Sequence, residues 1–440
     1  MDIPTTAKGD LPPGIAQLRA KLGQKAKLEP KFRFYTLYSH LVRTDVLETA
    51  WKLVKQNGGA AGYDGKTFES IRGSKEGVEG FLKEIYNSLI DKGCRADPVR
   101  RVYIPKSDGK MRPLGIPTIK DRVVQAALLL IIEPIFEKDF LECSYGFRPG
   151  KSAHQAIDAM NKAANEGKLE IYDGDLEGYF DSIPHDQLIK AIEMRIVDQR
   201  VLKLIRMWLE APIWEEGKPM TPNDRGTPQG GVISPLLSNL YLHWFDKAFH
   251  SKAGPGTWAK ASIIRYADDF VIMARYMNPK IQQWITRELE GRFGLKINRS
   301  KTRIVDLKAS RGTINFLGFT MRWIGKGTKR YQIKPMERSL TRARDRIRYL
   351  TRPQLGNLPV KDVIGGVNRF LKGWGNYFNK GTPSKAFQKV NWHVGNRMIH
   401  FLERRSQRGY KKPQGSNWYE VLNKLGLFVL SRQAFKKGYR

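Results

Sequence analysis

The spacing of apolar residues predicts both helices and strands. Apolar positions recur at helical intervals over residues 46–54, 120–136, 153–164 and 234–249, which predicts a helix in each segment. Residues 98–118 read instead as two short strands around a Ser-Asp-Gly turn. Two further strand-like segments, 169–176 and 261–274, are separated by helical patterns and a turn-rich loop. This order predicts an α+β fold.

The two ends of the chain differ from its middle. Residues 1–30 have little periodicity and contain a Pro-Pro-Gly break, so we expect a flexible or docking segment. Residues 31–333 carry the mixed helix and strand pattern, and residues 334–440 are helical and strongly basic. We therefore predict three parts with these boundaries.

Charge indicates the class of partner. The 440 residues include 77 Lys and Arg against 43 Asp and Glu, a formal net charge of +34. Such a chain attracts polyanions, with nucleic acid the first expectation and an anionic membrane surface the second. No stretch approaches the ~20 apolar residues of a spanning helix, and the N-terminus lacks the pattern of a secretory signal. We expect no membrane partner.

The number and spacing of the cysteines indicate which cellular compartment the protein occupies. Cys94 and Cys143 stand alone, without a CxxC or clustered Cys/His pattern. A disulfide scaffold and a cysteine-rich zinc module are therefore excluded. A reducing location is expected, either the cytoplasm of a bacterium or an organellar matrix, where association with the nucleoid is compatible with the charge.

The basic C-terminal part combines cations with rings. Residues 334–440 hold 24 Lys and Arg, 5 Asp and Glu, and fourteen aromatic residues. Within it, residues 337–352 predict an amphipathic helix whose apolar seam lies between two rows of arginines. The rows are Arg338, Arg342 and Arg346 on one flank, and Arg344, Arg348 and Arg352 on the other. With so few acids opposing them, these arginines indicate a helix that faces phosphates.

Three aspartates suggest a metal centre. Asp268 and Asp269 interrupt an apolar strand run, where a hairpin turn would expose both side chains. Asp175 lies near the end of the other strand-like segment. If the strands are neighbours, three carboxylates converge and need cations to neutralise them. Oxygen ligands favour Mg²⁺ or Mn²⁺, and two such ions ~4 Å apart can activate a hydroxyl and stabilise a leaving pyrophosphate.

The residues around these aspartates resemble a known set of motifs. Six segments between residues 100 and 320 are similar, in order, to motifs of reverse transcriptases: IPKSDGKMRPLGIP (104–117), DLEGYFD (175–181), GTPQGGVISP (226–235), YADD (266–269), GLKINRSKT (294–302) and FLGF (316–319). The resemblance is closest to group II intron-encoded reverse transcriptases, or maturases. It is carried by GAAGYDG (59–65), CSYGFRPGKSAHQAI (143–157), VISPLLSN (232–239) and GWGNYF (373–378), and it covers roughly residues 40–430.

The resemblance implies a role for each matching residue. Asp175 and Asp268 would hold two Mg²⁺ ions most directly, with Asp269 more peripheral and the backbone carbonyl of Leu176 as a further ligand. The remaining assignments are Lys106 and Arg112 for the triphosphate, Phe180 beneath the sugar, Gln229 near the nucleotide and template base, Lys301 as the acid that protonates pyrophosphate, and Arg148 on the template. An ion pair with a nearby acid is the alternative for Arg148.

The implied protein is an RNA-directed DNA polymerase with a right-hand fold. Residues 31–333 would form the fingers and palm, and residues 334–440 the thumb, or X domain, which binds RNA. Its partners would be group II intron RNA or another RNA template, a DNA primer or target, and dNTPs. Assistance to splicing and intron mobility would follow. We expect the compact form without an HNH endonuclease, and the sequence does not define the oligomeric state.

Three alternatives remain open at this point. One is an RNA-binding splicing factor that lacks polymerase activity, although RNA binding alone does not require the carboxylates. Another is a reverse transcriptase of defence or repair that serves no intron, which the basic C-terminal part does not separate from a maturase. The last is an RNA-dependent RNA polymerase, against which Phe180 argues because its ring would clash with a 2′-hydroxyl.

Overall fold

A computed structural model of the chain describes residues 11–91, 93–105, 109, 111–310, 312–325, 331–405 and 410–435. These residues divide into two compact units. The described residues within Met1–Lys168 and Tyr172–Ile304 form the first, and those within Leu169–Ile171 and Val305–Arg440 form the second. This division differs from the boundary expected at residues 333/334, which stays a prediction.

The first unit alternates helices with short strands. Its helices are α1 Pro13–Leu28, α2 Tyr38–Leu41, α3 Thr44–Asn57, α4 Phe68–Gly73, α5 Gly77–Ile90, α6 Ile119–Phe136, α7 Ala153–Asn165, α8 Tyr179–Ser182, α9 His185–Glu193, α10 Gln199–Leu209, α11 Ser234–His250, α12 Pro255–Trp258 and α13 Pro279–Thr286. Its strands are β1 Val99–Pro105, β2 Met111–Ile116, β4 Ile213–Trp214, β5 Ser262–Tyr266 and β6 Asp269–Ala274. Strands β3 Glu170–Gly174 and β7 Arg303–Asp306 each include residues of both units.

Helix α6 is the centre of the first unit's core. Its sequence is apolar around the whole circumference, and nearly every side chain is buried. The few polar residues within it have partners: Asp121, for example, accepts hydrogen bonds from Thr118 and from the indole of Trp208. Helix α3 packs against α6 through the seam that the sequence predicts, from Val46 to Val54.

Helix α1 corrects the expectation for the N-terminal segment. Pro13–Leu28 is a helix packed on α6, with Ile15, Leu22 and Ala26 buried. Arg19 adds an ion pair to Glu133 of α6, at 2.6 Å. Of the two alternatives expected for this segment, the packing of residues 13–28 contradicts the flexible one and agrees with the docking one. The periodicity was weak because few apolar residues, widely spaced, contact the core.

Two sheets carry the segments that are expected to hold the catalytic residues. Strands β1 and β2 pair antiparallel as predicted, in a sheet of order β2-β1-β4. The second sheet has the order β5-β6-β3-β7, so β3 and β6 are neighbours. This adjacency is the condition under which the three aspartates converge.

The second unit places helices beside a small antiparallel sheet. Its strands are β8 Thr313–Phe316, β9 Phe319–Trp323 and β10 Tyr331–Pro335, in the order β10-β9-β8. Its helices are α14 Glu337–Leu350, α15 Val360–Phe378, α16 Ser384–Arg404 and α17 Trp418–Lys424. Helix α14 buries Leu340, Ala343 and Ile347, the seam expected from the sequence.

Candidate active site

The adjacent aspartates lie at a tight hairpin turn. Strands β5 and β6 are antiparallel, with Tyr266 opposite Asp269, so Ala267 and Asp268 form the turn between them. We call Ala267–Asp269 the Asp turn. Ala267 has a φ of 57°. This left-handed conformation costs free energy for any residue that has a side chain. The surrounding structure must therefore hold this turn in place.

A buried arginine beneath the Asp turn supplies that support. Arg265 is fully buried, and its Nη1 donates a 2.9 Å hydrogen bond to the carbonyl of Ala267. Its Nε and Nη2 donate to the carboxylate of Asp246 on α11, at 3.0 and 2.6 Å. Nη1 also donates to Asn239, on the same helix. Sequence reasoning gave Arg265 no role, although an arginine in an otherwise apolar strand run was a usable signal.

Asp175 follows β3 and reaches the same region because a glycine precedes it. A Cβ atom on Gly174 would lie 2.3–2.8 Å from ring carbons of Phe270 on β6, so only glycine lets the two strands approach this closely. The backbone N–H of Asp175 donates to Thr302 Oγ1, and its carbonyl accepts from Asn298. Asp175 is thus fixed on the strand beside the Asp turn.

The carboxylates influence one another electrostatically. Burial and the charges of Asp268, Asp175 and Asp173 raise the pKa of Asp269 to about 7. Burial also raises the pKa of Asp268, as does the charge of Asp175, while Arg112 opposes both shifts. Within the described ranges, no three His, Cys, Asp or Glu side chains are gathered into a ready-made ion cage. The arrangement is a concentration of negative charge in need of a cation.

Leu176 and Lys301 flank Asp175. Leu176 bridges to Ile297, but the two hydrogen bonds of this bridge use the backbone of the neighbouring residues, and the Leu176 carbonyl takes part in neither. Lys301 Nζ lies 3.5 Å from Asp175 Oδ2 and is well exposed. This contact is an exposed ion pair, and the role of Lys301 as the acid that protonates pyrophosphate stays a prediction.

A cavity of about 740 Å³ opens beside the Asp turn. Asp268, Arg112, Phe180 and Gln229, four residues singled out from the sequence, all line it. So do Arg100 and Arg122, to which sequence reasoning gave no role. The cavity thus combines one of the carboxylates, guanidinium groups, an aromatic ring and a carboxamide.

The 226–231 loop packs against Phe180 and against Gly115 of β2. The N–H of Thr227 donates to the carbonyl of Phe180, and the carbonyl of Gln229 accepts from Gly115 on β2. Gly230 has a φ of 121°, and a Cβ atom there would lie 2.5 Å from the Gly115 carbonyl. Glycine is needed for this approach, which brings Gln229 and Phe180 to one cavity.

Two of the expected site residues remain, Lys106 and Arg148. Lys106 lies outside the described residues, so its role stays a prediction. Arg148 is buried: it forms an ion pair with Glu137 at 2.7 Å and donates to the carbonyls of Leu141 and Ser144. The proposed template contact of Arg148 is therefore corrected to the internal ion pair that the sequence left as its alternative.

The two arginine rows of α14 are not equivalent. Arg344 pairs with Glu337 at 3.2 Å, and Arg348 pairs with Asp345 at 2.7 Å. In the other row, Arg346 lies over the ring of Tyr349, while Arg338 and Arg342 are exposed and form no ion pair with any described residue. The row of Arg338, Arg342 and Arg346 is thus the one more open to phosphates.

Comparison with known proteins identifies the class. Residues 104–321 match the family "Reverse transcriptase (RNA-dependent DNA polymerase)", and residues 340–419 match "Group II intron, maturase-specific domain". The predicted right-hand polymerase fold and the predicted enzyme class, an RNA-directed DNA polymerase, are confirmed at the level of the family. Reverse transcriptases depend on divalent metal ions in general.

Individual relatives place the chain within that class. Protein YkfC of Escherichia coli K12 is 35% identical over 329 residues, covering 66% of this chain and 84% of YkfC. The group II intron-encoded protein LtrA of Lactococcus lactis subsp. cremoris is 39% identical over 219 residues, 49% of this chain but 35% of LtrA. The chain belongs to the group II intron-encoded reverse transcriptases with a maturase-specific domain.

Solved structures include more distant matches. Telomerase from Candida albicans aligns with 78% of this chain and 67% of its own, with 15% identity and a TM-score of 0.41.

Within the described part of the chain, no helix has the length and apolar character needed to cross a membrane.

Proposed function

We propose that this chain copies RNA into DNA by nucleotidyl transfer at the Asp turn, using dNTPs, a DNA primer and two Mg²⁺ ions, or Mn²⁺ in their place. The observation that best supports this function is the cavity of about 740 Å³, which is lined by Asp268 together with Arg112, Phe180 and Gln229. A catalytic carboxylate, a phosphate-binding cation and a ring that can contact a sugar are the parts that this reaction requires.

Divalent ions fit the donor set. Asp175, Asp268 and Asp269 offer only oxygen ligands, which Mg²⁺ and Mn²⁺ prefer, and the pKa of about 7 at Asp269 reflects burial together with the negative charges of Asp268, Asp175 and Asp173. The Leu176 carbonyl is a further candidate ligand. When bound, such ions would supply positive charge at the attacking and leaving oxygens.

The other side chains would bind and orient the nucleotide. Arg112 would hold the triphosphate by its fixed charge, together with Lys106. The ring of Phe180 would occupy the space of a 2′-hydroxyl and so select dNTPs. Gln229 would contact the nucleotide and the template base from its docked loop, and Lys301 would donate a proton to the leaving pyrophosphate.

The second unit would bind RNA, and in the first instance the RNA of a group II intron. Its match to the maturase-specific domain and its basic surface support this role. Assistance to splicing and mobility would follow. Because Cys94 and Cys143 are both free thiols, we further propose a reducing location in a bacterial cytoplasm or organellar matrix.

Primer extension on an RNA template with Mg²⁺ tests this proposal. Wild type should extend with dNTPs and not with NTPs, and Asp268→Ala should abolish extension. Asp186→Ala is the matched control, since Asp186 is an exposed acid on α9 whose ion-pair partner is Arg206. If folded, RNA-binding wild type failed to extend, a splicing factor without polymerase activity would become the better account.

A further inference from the structure

The second unit contains a cleft that the polymerase reaction does not use. It lies between α16 and α17 and has a volume of about 280 Å³. Its lining is largely apolar and includes Val394, Ile399, Leu422, Leu427 and Phe428. Because an apolar cleft is costly to leave in contact with water, a flat apolar ligand would gain free energy by entering it.

Two aromatic rings stand exposed at this cleft. Trp392 on α16 is 71% exposed, and Tyr419 on α17 is 67% exposed. The structure describes all ten tryptophans of the chain, and Trp392 alone falls in the exposed class. Tryptophan and tyrosine normally bury most of their surface, so two open rings lining one cleft indicate a surface that a ligand covers.

Polar groups of the cleft could recognise a ring edge. Asn391, Asn396 and Asn423 line it beside the apolar residues. The Asn391 carboxamide is committed to both the N–H and the carbonyl of Leu430. The Asn396 and Asn423 side chains make no hydrogen bond with described residues, so their carboxamides can both donate and accept.

The positive charge around the cleft indicates that its ligand carries negative charge. Residues 384–424 hold nine Lys and Arg against two Asp and Glu. Lys385, Lys389 and Lys424, on the two helices that form the cleft, have no ion-pair partner among the described residues. A polyanion is therefore complementary to the surroundings, while the cleft itself suits an uncharged ring.

We propose that the α16–α17 cleft binds an unpaired base of RNA, stacked on Trp392 and Tyr419. Paired bases of an A-form helix are enclosed, whereas an unpaired base in a loop or bulge can be splayed out and stacked on aromatic rings. The surrounding lysines would hold the flanking phosphates. This inference rests on the proposed RNA partner of the second unit and specifies the part of that RNA which the cleft takes.

Binding of two RNA probes by the full-length chain tests the cleft. The probes are a short single-stranded RNA and a blunt duplex of the same length. Trp392→Ala should weaken binding of the single strand by about 5- to 150-fold, the range for loss of one stacked base, and leave the duplex unchanged. Trp392→Phe should retain most of the affinity. Tyr276→Ala, at an exposed ring of the first unit, is the matched control.

A fluorescent base adds a direct readout. 2-Aminopurine placed in the single strand should be quenched on binding to wild type and Trp392→Phe, and much less on binding to Trp392→Ala. Unchanged affinity and quenching in Trp392→Ala would overturn the proposal. Equal losses for single strand and duplex would also overturn it, since they indicate phosphate contacts. If Trp392→Ala altered only self-association, the cleft would hold a second copy of the chain.

The outcome is separable from that of the proposed polymerase function. Binding of the probes requires no nucleotide addition, so a failed cleft would leave primer extension by wild type intact. Conversely, wild type could fail to extend a primer while Trp392→Ala still lost binding of the single strand.

Discussion

Phe180 shows how one residue could decide which nucleic acid is made. Its ring lines the cavity beside Asp268 and contacts Tyr179 edge to face at 5.6 Å. Tyr179 is buried, and its hydroxyl donates to the carbonyl of Ser238. The buried Tyr179 therefore supports the Phe180 ring and limits its movement. A ring that excludes a 2′-hydroxyl needs such support.

Replacing Phe180 should relax sugar choice. Phe180→Ala or Phe180→Val removes the bulk that would meet a 2′-hydroxyl, so use of NTPs should rise by about tenfold or more relative to dNTPs, equivalent to about 1.4 kcal/mol. Phe180→Tyr keeps the ring and should keep the preference. The measurement is kcat/KM for dNTP and NTP addition. Unchanged NTP use in Phe180→Ala would remove Phe180 from this role.

Arg265 acts on the site through another residue. Its guanidinium holds the Ala267 carbonyl and is itself held by the buried carboxylate of Asp246. Removing one partner of such a pair leaves an uncompensated buried charge, at a cost of about 3–5 kcal/mol. Arg265 is thus a positioning residue for the Asp turn.

The double variant Arg265→Met/Asp246→Leu separates positioning from stability. It removes both charges and should recover most of the free energy of unfolding lost in Arg265→Met. The Ala267 carbonyl remains unanchored, so kcat should stay about 10²-fold low while KM for dNTP changes little. Urea unfolding and steady-state kinetics measure the two effects. Recovery of kcat along with stability would show that Arg265 contributes stability alone.

Helix α11 carries a buried histidine with a consequence for pH. His243 is buried against Phe140 and Trp244. Burial, together with Lys247, Arg265 and Arg148, lowers the pKa of His243 to about 3. The folded chain keeps this imidazole neutral, whereas the unfolded chain protonates it near pH 6.5.

The contribution of His243 to the free energy of unfolding should therefore fall as pH drops from 6.5 towards 3, whereas the raised pKa of Asp269 acts in the opposite direction. Between these values the unfolded state binds more protons at His243, with a limiting slope of about 1.4 kcal/mol per pH unit from this residue. His243→Gln should lower the slope of the free energy of unfolding against pH between pH 7 and 5 in urea unfolding. His400→Gln, at an exposed histidine, is the matched control. Equal slopes for wild type and His243→Gln would contradict the assignment.

At the level of elements, the sequence predicts well wherever local pattern and tertiary packing agree. The β5–β6 hairpin, α6, α11 and α14 follow from strong periodicity. The buried side of α1 was missed, because Gly14 and Gly23 dilute its pattern and the contacts that stabilise it come from α6. The role of Arg265 was missed for a related reason: its partners on α11 lie 19 and 26 residues away.

The whole molecule combines a cavity for chemistry with a basic surface. Residues 334–440 carry more than half of the net charge of +34. Ion pairs on α14 nevertheless divide its arginines into a paired row and an open row. We expect the open row to contribute more to RNA affinity, because its cations are not shared with acids.

The salt dependence of RNA binding measures this difference. Arg338→Gln/Arg342→Gln should reduce the slope of log affinity against log salt by about 1.4–1.8, since each phosphate contact contributes about 0.7–0.9. Arg344→Gln/Arg348→Gln makes the same change in net charge and should reduce the slope less, because Glu337 and Asp345 already neutralise these arginines. Equal slopes for the two variants would contradict the division into rows.

The single-turnover rate of dNTP addition on an RNA template tests the central claim most directly. With saturating Mg²⁺ and dNTP, Asp268→Asn keeps the size of the side chain and removes its charge. The rate should fall by about 10³-fold or more, while folding and RNA binding remain at wild-type levels. Wild type without divalent ions should be equally slow. A rate within tenfold of wild type in folded Asp268→Asn would show that the Asp turn is not the catalytic centre.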